Sequence, residues 1–333
     1  MKHLFGPVNS RRLGLSQGID LLPPKTCNFN CIYCEINTAP QLSCERGEHV
    51  PTDNIIDEIN ELLTRKEAVD KLDVFTITAS GEPTLHTGIG RIIRHLKEKT
   101  DKPVAILTNG SLLYMQEVRE DLMAADIVIP SIDAARPESF RKVNRPAKCI
   151  VELEQIISGL EQFSQEFNGQ VWLEVLLVKD MNDAPQDIDA LEEAIGRIKP
   201  NRVQLNTVAR PPYEAFAEPL DRQAMIGVKK QIEEFFSGPV DVLAGIVEDT
   251  SSVVQACDRK PLQADSSATI ESDIINLLQR RPCTVADIAK TIGIDKENVA
   301  VLLTDMEKKG TLIQKIHGGK RYYKPSLPQE EEK

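Results

Sequence analysis

The sequence predicts an α/β protein, with parallel strands joined by helices, followed by a small C-terminal module. Three observations carry that expectation. Apolar runs of strand length alternate with amphipathic helical patterns through the first 250 residues. Polar and small residues cluster where those runs end, at Ser80-Gly81-Glu82-Pro83, Thr108-Asn109-Gly110-Ser111, Ser131-Ile132-Asp133 and Gln204-Leu205-Asn206-Thr207. The charge then changes sign, from a net −12 over residues 1–268 to a net +3 over residues 269–325.

Strands are expected near 17–22, 73–79, 103–108, 126–132, 170–178, 201–207 and 239–247. Helices fill the intervals at 53–69, 88–99, 111–124, 149–167, 185–198 and 221–237. In the first of these, Ile55, Ile56, Ile59, Leu62 and Leu63 share one face. Periodicity does not separate a barrel from an open sheet, but both place ligands at the carboxyl ends of parallel strands. The polar clusters therefore converge on one rim. This body is assigned residues 1–250, and a small-residue polar linker residues 251–268. Residues 269–326 then read as helices 269–280, 284–292 and 295–309 and strands 311–316 and 320–324 around His317-Gly318-Gly319, the order of a winged helix-turn-helix. Residues 327–333 are expected to be a disordered, solvated tail.

With 333 residues, 41% of them apolar, the chain can bury a sizeable core. The start MKHLFGPVNS has no basic segment leading into an apolar stretch, and no run approaches membrane-spanning length, so a cytoplasmic protein without a membrane partner is expected. A net charge of −11 argues against a general polyanion-binding surface. Seven cysteines, three of them within eight positions, suit thiolate metal ligands better than a disulfide framework.

Those three lie in Cys27-Asn28-Phe29-Asn30-Cys31-Ile32-Tyr33-Cys34, placed in a loop after the first strand. Protein iron–sulfur cubanes usually take four cysteine ligands. Three thiolates leave one iron open to a substrate or cofactor. A structural zinc needs four ligands. Cys44, His49 or His86 would have to supply the fourth, and no second closely spaced Cys/His pair flanks the loop. Cys44, Cys149, Cys257 and Cys283 are scattered and read as small buried hydrophobes, none assigned to metal.

The C-x3-C-x2-C loop, with Tyr33 before its last cysteine, resembles the cluster loop of radical SAM enzymes. Ser80-Gly81-Glu82-Pro83 resembles that family's Gly-Gly-Glu motif, with Ser80 where a glycine is often found. The resemblance covers roughly residues 10–247 and implies a partial (β/α)6 TIM-type barrel. It also implies a [4Fe–4S] cluster on Cys27, Cys31 and Cys34, with S-adenosylmethionine chelating the open iron. Reductive cleavage would give methionine and a 5′-deoxyadenosyl radical that abstracts hydrogen from an unidentified substrate. An external one-electron donor of the flavodoxin or ferredoxin type is implied as partner.

The cofactor contacts implied are Tyr33, Gly81, Glu82, Pro83, Thr108, Asn109, Ser131 and Asp133; no catalytic side chain is assigned. Asn109 reads equally well as a helix cap. Glu174, Gln204 and Asn206 are polar residues inside apolar strands, facing a lumen or, for Glu174, paired with Arg145. Residues FGPVNSRRLG to SGEPTL are similar to an iron–sulfur oxidoreductase branch, itself distantly similar to wyosine-base tRNA synthases. Those synthases carry a second cluster on additional N-terminal cysteines, and no cysteine precedes Cys27. The C-terminal module reads as a nucleic-acid contact or a protein-docking element. An iron–sulfur redox-sensing regulator that binds DNA through it is the alternative function.

Overall fold

A computed structural model describes residues 2–10, 12–36, 41–78, 80–243 and 267–326. Most of the expected linker, the expected tail and Cys257 lie outside the described residues. The chain divides into two compact units. One comprises Met1–Tyr33, Pro40–Ala209 and Phe216–Ile246, the other Cys34–Ala39, Arg210–Ala215 and Val247–Lys333.

The first unit opens with a hairpin, β1 (Leu4–Ser10) antiparallel to β2 (Gly14–Ile19). Two short strands, β3 (Thr26–Cys27) and β4 (Gln41–Leu42), pair in parallel beside it. The chain continues through α1 (Thr52–Leu63), α2 (Lys66–Asp70), β5 (Val74–Ile77), α3 (Ile89–Lys99), β6 (Val104–Thr108), α4 (Gln116–Leu122) and β7 (Ile127–Pro130). It closes with α5 (Pro137–Val143), α6 (Leu153–Glu166), β8 (Gln170–Leu177), α7 (Pro185–Ile198), β9 (Arg202–Thr207), α8 (Arg222–Glu233) and β10 (Val240–Val242).

Eight strands form one sheet in the order β1-β2-β5-β6-β7-β8-β9-β10, parallel from β2 onward. Strands that follow one another in sequence and space, joined by helices, wind the sheet in a single direction. That is the topology of a partial TIM-type barrel. The central strands β5, β6 and β7 are buried on both faces, β5 completely, so they read as continuous apolar runs rather than alternating ones. Helices α1, α3, α6 and α7 each turn an isoleucine- and leucine-rich face inward. Three of the four polar clusters read from sequence lie at or just after the carboxyl ends of β5, β6 and β7, whereas Gln204–Thr207 lies within β9 itself.

Several elements differ from expectation for local reasons. The helix expected over 53–69 breaks at Thr64 and Arg65 into α1 and α2. Residues 111–115 are turns rather than helix, because Gly110 adopts φ +73° and the Ser111 N–H and hydroxyl both donate to Asn109 Oδ1. Helix α6 starts at Leu153, after the Ala147 N–H donates to the Asn28 carbonyl and Cys149 is linked to Cys44. Strand β1 and helix α5 were not anticipated.

The second unit contains α9 (Ser267–Arg280), α10 (Val285–Ile292), α11 (Lys296–Lys308) and an antiparallel hairpin of β11 (Leu312–His317) and β12 (Lys320–Pro325). Thr284 and Asp287 form a reciprocal capping box at the start of α10, and Gly293 ends it at φ +80°. Ile274, Leu278, Ile288, Val299, Leu303 and Met306 form its core. No helix among the described residues is long and apolar enough to cross a membrane.

Cys44 and Cys149 correct the expectation of scattered, unlinked cysteines. They form a disulfide with Cα atoms 6.1 Å apart across 105 residues of sequence. The Ser43 N–H donates to the Cys27 carbonyl and the Ala147 N–H to that of Asn28, so both cysteines end strips flanking one loop. Cys283 is buried, as expected. Closing a loop of this length is expected to stabilise the oxidised protein by about 4–5 kcal/mol. Denaturant unfolding with and without dithiothreitol should show that difference in wild type and lose it in Cys44→Ser.

Candidate cofactor site

The chain leaves β2 through Asp20, whose carboxylate accepts from the Ser80 N–H at 3.1 Å and hydroxyl at 2.6 Å. The loop that follows is held on three sides. On the first, the Lys25 N–H donates to the Ser80 carbonyl and the Glu82 N–H to the Thr26 carbonyl. Gly81 is required there, since a Cβ on it would lie 1.8 Å from the Thr26 oxygen. On the second, Gln41 and Ser43 N–H groups donate to the Lys25 and Cys27 carbonyls. On the third, Asn30 and Ile32 N–H groups donate to the Asn144 and Val143 carbonyls at 3.0 and 2.9 Å.

Cys27 and Cys31 are half-buried thiols on this clamped backbone. Their sulfurs face N–H donors. Cys27 Sγ lies 3.4 Å from the Phe29 backbone nitrogen and 3.8 Å from Asn109 Nδ2, and Cys31 Sγ lies 3.5 Å from Asn144 Nδ2. Cys34 directly follows Tyr33 in the chain and is the first residue of the second unit, where its carbonyl accepts from the Tyr213 N–H at 2.8 Å. In that unit Arg210 pairs with Glu35 at 3.1 Å. Thiols facing amide donors form a donor set suited to an iron–sulfur cluster, whose ligand sulfurs carry negative charge and accept hydrogen bonds. No group of three or more His, Cys, Asp or Glu poised to hold a metal ion occurs among the described residues.

Several of the rim residues lie close together, and two of their carboxylates have different neighbours from those expected. Glu82 is buried, with Oε1 accepting from the Thr84 N–H and hydroxyl and the Thr108 hydroxyl, and Oε2 from the Asn109 N–H at 2.6 Å. Desolvation nevertheless pushes its pKa upward. Pro83 opens a buried 3₁₀ turn. Asp133 is likewise engulfed: Oδ2 accepts from Tyr33 and Asn144, and Oδ1 from the Leu176 N–H. Burial raises its pKa to about 6 against those bonds. Tyr33 is raised well above its ordinary value, first by burial and then by Asp133.

Asn109 Oδ1 accepts from Ser111 rather than capping a helix, and its Nδ2 bonds Asn28 at 2.7 Å. Ser131, half-buried, lines a small cavity with Phe29, Asn109, Ile132, Asp133 and Asn144. In the body of the sheet, Glu174 pairs with Arg12, which also donates to Gln204 at 3.1 Å, while Asn206 donates to Glu174. Arg145 lies over the Phe216 ring. Arg12 and Asn144 were missed as site residues. Arg12 sits in a turn without periodic signal, and Asn144 ends a helix that sequence reading did not anticipate.

The family model of the Radical SAM superfamily matches residues 21–193. A GTPase Obg of Brachyspira hyodysenteriae is 38% identical over 96% of this chain, and the chain spans 44% of that relative's length. A UPF0026 protein of Synechocystis sp. is 37% identical over 66% of this chain and 78% of its own. A crystal structure of a radical SAM methyltransferase from Sphaerobacter thermophilus superposes with a TM-score of 0.51 at 14% identity, covering 68% of this chain and 66% of that one. This last likeness concerns the fold.

Asp133 supplies a pH test. Its folded carboxyl holds a proton more tightly than an unfolded one, so its stabilising contribution is complete below about pH 3.9. That contribution is lost as pH rises through about 6. In the metal-free protein, the unfolding free energy of wild type relative to Asp133→Asn should fall by up to about 3 kcal/mol between pH 4 and 7. A pH-independent difference would contradict the burial seen here.

Proposed function

Because the chain belongs to the radical SAM superfamily, we propose that Cys27, Cys31 and Cys34 ligate three irons of a [4Fe–4S] cluster and leave the fourth to S-adenosylmethionine. Members of this superfamily are enzymes that use this cluster and this cofactor. When bound and given one electron by an external donor, they would supply reductive cleavage of the sulfonium to methionine and a 5′-deoxyadenosyl radical able to abstract hydrogen from substrate.

The observation that carries this reading is the clamped loop, with two of its thiols facing amide donors. The residues divide the work. The Ser80–Glu82 strip fixes the backbone of Cys27, and Glu82, by gathering Thr84, Thr108 and the Asn109 N–H, aligns the ends of β5 and β6. Ser131, Asn109, Thr108, Pro83 and the backbone at Gly81 line the cofactor's place on the rim. Asp133 and Tyr33 position each other beside Cys31. Arg12, Glu174, Gln204 and Asn206 offer the polar lumen surface from which a substrate would be read.

The substrate is a tRNA base, a peptide or a small metabolite, acted on by a cytoplasmic enzyme served by a flavodoxin or ferredoxin. The three helices and hairpin of the second unit are a winged helix-turn-helix that docks nucleic acid or protein. Two features support that role: Lys315 and Lys324 lie close enough for Lys315 to help depress the Lys324 pKa, after burial, and Val301 and Ile316 are exposed.

Protein reconstituted anaerobically with iron and sulfide, then given dithionite and S-adenosylmethionine, is expected to form 5′-deoxyadenosine, quantified by mass spectrometry. Cys27→Ala, Cys31→Ala and Cys34→Ala should each fall to background. A fully loaded wild-type protein that leaves the cofactor intact under reduction would refute the proposal.

A further inference from the structure

The two thiols of the first unit face the same device, a primary amide anchored through one N–H so that the other points at sulfur. Asn144 Nδ2 lies 2.6 Å from Asp133 Oδ2 and 3.5 Å from Cys31 Sγ. Both partners accept, so the nitrogen and not the oxygen must face them. Asn109 Nδ2 lies 2.7 Å from Asn28 Oδ1 and 3.8 Å from Cys27 Sγ. Its orientation is fixed independently, because Asn109 Oδ1 accepts from Ser111, and that of Asn28 is fixed by its own Nδ2 donating to Ser111 Oγ at 2.7 Å.

The orientation of Asn144 carries a cost. The residue is 3% exposed, and its Oδ1 is buried without a hydrogen-bond partner among the described residues. A flip would place that oxygen against a carboxylate and a thiolate, both of them acceptors. The amide is therefore held where its N–H groups serve negative charge at the expense of its carbonyl. Such donors stabilise the reduced form of an iron–sulfur cluster, which carries one more electron, more than the oxidised form, and hydrogen bonds to the sulfurs are among the terms that set its potential.

We propose that Asn144 and Asn109 are positioning residues that raise the reduction potential of the cluster, bringing it within reach of its electron donor. The inference rests on the cluster of the proposed function. It concerns the step in which the oxidised cluster gains one electron from an external donor, with no bond made or broken.

The test is a potentiometric titration of reconstituted full-length protein with dithionite, followed by electron paramagnetic resonance, with iron and sulfide counted in every sample. Asn144→Ala and Asn109→Ala are each expected to make reduction about tenfold less favourable, a midpoint about 59 mV lower for one electron. Asn144→Gln, which keeps the amide, should recover part of the shift. Wild type labelled with ¹⁵N at the asparagine amides gives a readout free of substitution: hyperfine coupling to the reduced cluster is expected. Loaded variants with an unchanged midpoint, or a reduced wild type without that coupling, would overturn this inference and leave the proposed function standing. A wild type that holds no cluster would overturn both.

Discussion

The site depends on one close approach, that of Gly81 to the carbonyl of Thr26. A Cβ at Gly81 would lie 1.8 Å from that oxygen, well inside contact distance. Only glycine lets the strip after β5 lie against the residue preceding Cys27, and only that proximity lets the Glu82 N–H reach the Thr26 carbonyl at 3.0 Å. From there the order propagates. Glu82 is drawn inward, gathers Thr84, Thr108 and the Asn109 backbone, and so fixes the strand end from which the Asn109 amide reaches Cys27.

Polar burial shapes the rest of the rim. Glu82 and Asp133 are each almost fully excluded from water, and each fills its oxygens with protein donors. Removing one member of such a network leaves the others unsatisfied in a low-dielectric setting, which makes these groups rigid supports. The cost of desolvation survives in their raised pKa values. A cofactor that needs three thiolates in fixed relative positions gains from a loop whose backbone and second-neighbour side chains are both constrained. The Cys44–Cys149 disulfide joins two of the three strips that grip the loop and adds a covalent constraint to the hydrogen bonds.

Much of this was legible in the sequence, for physical reasons. The central parallel strands are buried on both faces, so their apolar runs stand out, and polar clusters at or just after their ends mark the carboxyl rim. The spacing of the three cysteines marks a candidate metal-thiolate loop, and the cluster chemistry is what its resemblance to radical SAM enzymes implies. Strand β1 was hidden by Gly6 and Pro7 inside LFGPVNS, a pair that reads as a turn rather than an edge strand. Helix α5 is seven residues long, too short for a periodic signal. The disulfide, the Arg12–Glu174 pair and the Asn144–Cys31 contact join residues more than 100 positions apart. No local pattern encodes such meetings. Nor does sequence reveal that the carboxylates of Glu82 and Asp133 turn into the protein, because a motif names a residue and not the direction of its side chain.

The central claim is that three cysteines hold a four-iron cluster and leave one iron open. Mössbauer spectroscopy of ⁵⁷Fe-reconstituted protein, recorded before and after addition of S-adenosylmethionine, tests it most directly. A single iron of the cluster is expected to change its isomer shift on addition of the cofactor, while the others do not. Iron sites that are all unaffected by S-adenosylmethionine would contradict it.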